Sequence, residues 1–126
     1  EDVELYGIVL VVDDRRDIRY LAQHFIEKAG ATVVTATNGQ EAIEYLCSKE
    51  SADVDLIVMD IQMPVMDGYM ATSELRKRGC KLPIIALTAN AMKSDRDECL
   101  AAGCTDYTTK PLDRQQLVSM IARWMG

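Results

Sequence analysis

Ile57-Val58-Met59-Asp60-Ile61-Gln62-Met63-Pro64 runs apolar for three residues, meets a single carboxylate and then turns at a proline. A short apolar run bounded by turn residues suits a strand covered on both faces, so Leu56–Met59 reads as a buried strand with Asp60 at its carboxyl tip. Ile8–Val12 (IVLVV) and Pro83–Leu87 (PIIAL) have the same character, whereas Thr32–Ala36 and Thr105–Thr109 are shorter and more mixed. These five segments are the expected strands.

Helical patterns separate them. Ile18, Leu21, Ala22, Phe25, Ile26 and Ala29 fall on one face and stop at Gly30, a suitable C-terminal cap. Asn38 with Glu41 has capping-box spacing ahead of Ala42, Ile43 and Leu46, and Gly68 precedes a segment with Ala71 and Leu75 inward. Ser94 with Asp97 opens the fourth pattern before Cys99 and Leu100. Asp113 with Gln116 opens the fifth before Leu117, Val118, Ile121, Trp124 and Met125. Strands alternating with helices through short right-handed connections give an α/β domain: five βα units forming a parallel sheet with helices on both faces. Ligands in such sheets sit outside the carboxyl ends of the strands, which here are Asp13-Asp14, Asp60, Thr88-Ala89 and Lys110.

The 126 residues suffice for one domain with one core, divided as a lead-in over 1–6 and a folded unit over 7–126. A net charge of −6 argues against nucleic-acid binding and a polybasic membrane patch. No run is long enough to span a bilayer, and EDVELYG is unlike a signal peptide, which makes the cytoplasm the expected location. Cys47, Cys80, Cys99 and Cys104 lack metal-ligand spacing, and the one histidine, His24, reads as a solvent-facing or boundary residue of the first helix. The cysteines are expected to be reduced thiols in or near the core. Met59 reads as core, Met63 and Met66 as packing near the loop, and Trp124 as an anchor from the last helix into the core.

In a sheet of order 2-1-3-4-5, Asp13, Asp14 and Asp60 share one rim. At an effective dielectric near 20 and about 4 Å separation, each like-charged pair costs roughly 4 kcal/mol, on the order of 12 kcal/mol for three pairs. A cation is required. Oxygen-only ligands on an open rim suit Mg²⁺, which retains waters and is completed by phosphate oxygens. Lys110 adds an ammonium and Thr88 a hydroxyl, while Ala89 leaves room for an incoming group. A carboxylate in that setting is a nucleophile toward a phosphoryl donor, and Asp60 is the one so placed.

VVDD, IVMDIQMPVMDG, ALTANA and DYTTKP, in this order at strand ends, resemble the receiver domain of two-component response regulators over practically the whole chain. That resemblance implies a flavodoxin-like fold and an aspartyl-phosphate on Asp60, taken from a phosphohistidine on a histidine kinase or histidine phosphotransfer domain. It implies that Asp14 ligates Mg²⁺ directly, Asp13 largely through water, and Gln62 through its backbone carbonyl, with Thr88 and Lys110 gripping the phosphoryl oxygens. Thr88 and Tyr107 match the switch pair that repacks the face of the fourth helix, fifth strand and fifth helix, a face that also admits a homodimer. Gln62 and Asn90 occupy the positions that tune phosphoryl lifetime, and the Lys110-Pro111 bond is implied to be cis. Such a domain promotes its own phosphotransfer and hydrolysis without turning over an external substrate.

LYGIVLVVDD and ALTANAM are further similar to receivers at the C-terminus of hybrid sensor histidine kinases. An excised hybrid-kinase receiver, a free-standing regulator and one cut from its effector all fit. A phosphorylation-independent interaction module on the same fold is the alternative reading, disfavoured by the presence of Asp60 and Lys110. An aspartyl-phosphate phosphatase would want a second acid two places after Asp60, where Gln62 stands.

Overall fold

The computed structural model describes residues 4–48, 53–63, 65–89 and 93–125. Five strands alternate with five helices: β1 (Ile8–Val12), α1 (Arg16–Lys28), β2 (Thr32–Ala36), α2 (Gly39–Cys47), β3 (Val54–Asp60), α3 (Gly68–Lys77), β4 (Ile84–Thr88), α4 (Lys93–Ala102), β5 (Asp106–Thr109) and α5 (Arg114–Met125). The strands form one parallel sheet in the order β2-β1-β3-β4-β5. This is the doubly wound, flavodoxin-like architecture expected from the sequence.

The continuous apolar runs are central because neither face of those strands meets water. Alternate residues feed two separate cores. Leu10, Val12, Ile57, Met59, Ile84 and Ala86 pack with residues of α2, α3 and α4 on one face. Val9, Val11, Leu56, Val58, Ile85 and Leu87 pack with Ala22 and Ile26 of α1 and Leu117, Val118 and Ile121 of α5 on the other. At about 1.5–3 kcal/mol per fully buried aliphatic side chain, these two layers supply the main favourable term of folding. The edge strands β2 and β5 keep polar residues, with Thr32 and Thr35 exposed.

Strand β3 begins earlier than the apolar run suggests. Its register with β1 shifts between Ile8 and Val9, which pair with Val54 and Leu56. The Ile8 N–H is taken up by the skipped residue, Asp55, whose carboxylate accepts it at 2.8 Å. A side chain thus supplies an acceptor where the backbone ladder is interrupted.

Local capping follows the short-range signals. Asn38 accepts the Glu41 N–H at 2.8 Å, while Glu41 accepts from the Thr37 N–H at 2.8 Å, one residue before the partner of the usual capping box. Asp67 caps α3 through the Met70 N–H at 2.8 Å, and Asp113 accepts the Gln116 N–H at 3.1 Å at the start of α5. Gly30, at φ 116°, ends α1 with its N–H donating to Glu27 O. Ser94 is corrected: α4 already includes Lys93, so Ser94 lies inside the helix instead of preceding it.

Trp124 is also corrected. It is 39% exposed and its Nε1 donates to Asp106 at 2.8 Å, because α5 turns that position toward the β5 edge and away from the core. Met59 is buried, and Met63 and Met66 pack partly buried against the first core. His24 is exposed. All four cysteines are free; Cys99 and Cys104 are buried, Cys80 is half-buried, and Cys47 is exposed and so stands outside the core. Burial pushes the Cys104 thiol up to about 11, so it is protonated at neutral pH. Among the described residues no helix is long and apolar enough to cross a membrane.

Candidate functional site

The sheet register places the polar residues at strand tips side by side. Val12 stands opposite Met59 and Thr88 opposite Thr109, so Asp13 follows β1 at the level of Asp60, and Lys110 leaves β5 just beyond Thr88. The backbone holds this rim after the ladders end. Asp13 N–H donates to Ala36 O at 3.1 Å, Ile61 N–H to Leu87 O at 3.0 Å, and Lys110 N–H to Thr88 O at 2.8 Å.

The turn after Asp60 is pulled tightly over the strand end. Gly68 N–H donates to Ile61 O at 2.9 Å, and a Cβ at Gly68 would run into Asp60 O and Ile61 Cα. Glycine is required there by close backbone approach. Asp67 is engaged as the α3 cap, in keeping with a turn and helix start.

One carboxylate oxygen from each of Asp13, Asp14 and Asp60 lies within 4.8 Å of the others. Asp13 and Asp60 are buried, Asp14 is exposed, and the cluster opens to solvent on that side. Lys110 Nζ donates to Asp60 Oδ1 at 2.9 Å and stands 3.6 Å from Asp13 Oδ2. Gln62 N–H also approaches Asp60 Oδ1, at 3.3 Å. The Oδ2 atoms of Asp13 and Asp60 are buried and accept no hydrogen bond. Such orphaned acceptors are costly unless a ligand serves them.

Asp13 carries the electrostatic strain of the cluster. Burial is the main cause that pushes its carboxyl up from 3.8 to about 6; the Arg15 N–H and Lys110 oppose the rise, and Asp60 and Asp14 add to it. One ammonium does not neutralise three acids. The donor set is oxygen only, two of its buried oxygens accept no hydrogen bond, and one side is open, which fits a hard divalent ion such as Mg²⁺.

The other expected residues are placed one by one. Thr88 is buried at the tip of β4 and Ala89 beyond it is exposed, while Gln62 is exposed two residues after Asp60. Tyr107 lies opposite Ala86 in β5 and packs partly buried against the first core. Asn90 lies outside the described residues. The Lys110-Pro111 peptide is cis.

A family profile described as the response regulator receiver domain matches residues 9–122. The chain belongs to that family. Among the relatives of this receiver domain is the sensor histidine kinase GacS of Pseudomonas protegens, 38% identical over 94% of the chain, of whose length the chain spans 13%. The receiver domain of sensor histidine kinase PA1611 from Pseudomonas aeruginosa, solved with a magnesium ion in its active-site cleft, is 38% identical with a TM-score of 0.81, over 97% of this chain and 99% of that one. A chain from the co-crystal structure of the Saccharomyces cerevisiae phosphotransfer protein Ypd1 with the receiver domain of Ssk1 gives a TM-score of 0.88 at 30% identity, over 98% of this chain and 91% of that one. The chain is therefore a receiver domain of two-component phosphorelay signalling.

Four polar contacts were not read from the sequence. Arg15 N–H donates to Asp13 Oδ1 at 2.9 Å, Arg19 Nη1 donates to Asp13 O at 2.8 Å, and Asp106 bridges Trp124 and the Tyr107 N–H, the latter at 2.8 Å. The signal for Arg19 was its spacing. It stands four residues after Arg15, one helical turn in, from where a long side chain reaches back over the helix start.

Proposed function

We propose that Asp60 is the phosphoacceptor and that it takes its phosphoryl group, with Mg²⁺ bound, from a phosphohistidine of a histidine kinase or histidine phosphotransfer domain. The observation that carries this reading is the buried Asp60 carboxylate, whose Oδ1 is held by Lys110 while its Oδ2 has no hydrogen bond. The held oxygen orients the group and the free one is the nucleophile.

In the step so inferred, an Asp60 oxygen forms the new P–O bond as the P–N bond of the phosphoimidazole breaks, and the leaving imidazole keeps the electron pair. A divalent ion on Asp13, Asp14, Asp60 and the Gln62 carbonyl supplies neutralisation of phosphoryl oxygen charge when bound. The Lys110 ammonium moves from pairing Asp60 to pairing a phosphoryl oxygen, and the Thr88 hydroxyl donates to another. Thr88 drawn toward the phosphoryl group leaves space for the Tyr107 ring, which repacks the α4–β5–α5 face, the surface proposed for output and for a homodimer. Gln62 and Asn90 set the access of hydrolytic water. The functional unit spans residues 7–126 with a lead-in over 1–6, and it works in the cytoplasm.

Incubation with a small-molecule phosphodonor and Mg²⁺, followed by intact-mass measurement, tests this reading. One phosphoryl adduct is expected on the wild type and none on Asp60→Asn or on metal-free wild type. An adduct that persists on Asp60→Asn would place the acceptor elsewhere.

A further inference from the structure

We propose that Arg19 is a positioning residue for the cation site: its guanidinium fixes the turn on which Asp13 and Asp14 both stand. This rests on the reading of the acid cluster as a Mg²⁺ site.

The chain leaves the sheet at Asp13 and must present two adjacent carboxylates toward Asp60 against their mutual repulsion. Asp13 is restrained on three sides. Its N–H is tied to Ala36 O on β2 at 3.1 Å, and its Oδ1 accepts the Arg15 N–H at 2.9 Å. Its carbonyl, beyond the last ladder residue of β1, accepts from Arg19 Nη1 at 2.8 Å. That third restraint is the only one of these supplied by a long side chain, and it is charge-assisted.

Arg19 is well placed to act as a brace. It is half-buried on α1, a helix anchored in the second core by Ala22 and Ile26. Among the described residues it makes no ion pair, although three acids cluster beside the carbonyl it holds. Its charge is thus directed at the backbone of the turn.

Charge and hydrogen bond act in opposite senses on cation affinity. A positive group near the site repels Mg²⁺, so charge alone predicts that removing Arg19 tightens binding. Loss of the brace frees the Asp13-Asp14 turn and weakens it; groups that orient metal ligands are worth about ten-fold or more in affinity. The sign of the change separates the two.

Calorimetric titration of MgCl₂ into metal-free wild type, Arg19→Met, Arg19→Gln and Arg19→Lys is the test. The expected result is an affinity about ten-fold weaker in Arg19→Met, and partial recovery in Arg19→Lys and Arg19→Gln, which keep a donor. Hydrogen exchange of the Arg15 amide in the metal-free proteins should be faster in Arg19→Met by a similar factor. A general loss of stability would lower the melting temperature without changing the affinity of the folded fraction. Equal or tighter Mg²⁺ binding in Arg19→Met, or, should that variant not fold, in Arg19→Gln, overturns the proposal. Wild type that takes up no Mg²⁺ sinks the reading of the site itself, and the amide exchange rates then still decide whether Arg19 orders the turn.

Discussion

Lys110 Nζ stands 2.9 Å from an Asp60 oxygen at the carboxyl rim of the sheet, and Arg78 Nε stands 2.8 Å from a Glu74 oxygen at the end of α3. Their lengths are nearly equal, but their side chains are 13% and 2% exposed in the first pair and 50% and 37% in the second. The outer pair joins residues one helical turn apart, with water and salt free to screen both charges. Arg78 lowers the Glu74 pKa through their hydrogen bond, but that shift belongs to an exposed carboxyl. The inner pair shares its ammonium with Asp13 and leaves two carboxylate oxygens without hydrogen bonds. Length alone is a poor guide to what an ion pair does; water access and the local count of charges decide it.

Lys110→Met should have the largest effect. Removing the one ammonium from a buried acid cluster is expected to lower unfolding free energy in metal-free buffer by on the order of 3 kcal/mol, read from urea titration. An unchanged midpoint would make the inner pair equivalent to the outer one and break the contrast. Next comes Mg²⁺ itself, which at a hundred times its dissociation constant should stabilise the wild type by about 2.7 kcal/mol, and Asp13→Asn by less at the same concentration.

Asp13→Asn in metal-free buffer at pH 7 should raise stability by on the order of 1 kcal/mol, since it removes one of the clustered charges. The pH dependence sharpens this. The folded Asp13 carboxyl titrates at about 6 and the ordinary value is 3.8, so the folded state binds the proton more tightly. Stability from this group is therefore greatest below 3.8, falls as pH rises between those two values, and is fully lost above the folded one. The advantage of Asp13→Asn in thermal melts should open across that window. Glu74→Gln should have the smallest effect, leaving the melting temperature unchanged within error at every salt concentration.

What could be read in advance divides along the same line as the two pairs. Caps such as Asn38 with Glu41 and Asp113 with Gln116 are visible because both partners lie within one turn of chain. The acid rim was legible although its members are far apart in sequence, since strand order alone brings Asp13, Asp60 and Lys110 to one edge. Contacts that depend on where a long side chain turns were not. Trp124 has the spacing of a core residue, yet its indole finds Asp106 outside, and Asp55 precedes the apolar run Leu56–Met59 although it replaces a backbone acceptor inside a strand. Periodicity reports which face a residue occupies, but not which hydrogen bond completes it.

The Asp106 carboxylate has a practical use. One of its oxygens accepts from the Trp124 indole and the other from the Tyr107 backbone, so the chain's single tryptophan is wired to the residue next to the ring proposed to swing. Intrinsic fluorescence therefore offers a label-free optical gauge of β5, one that needs no dye and no engineered chromophore.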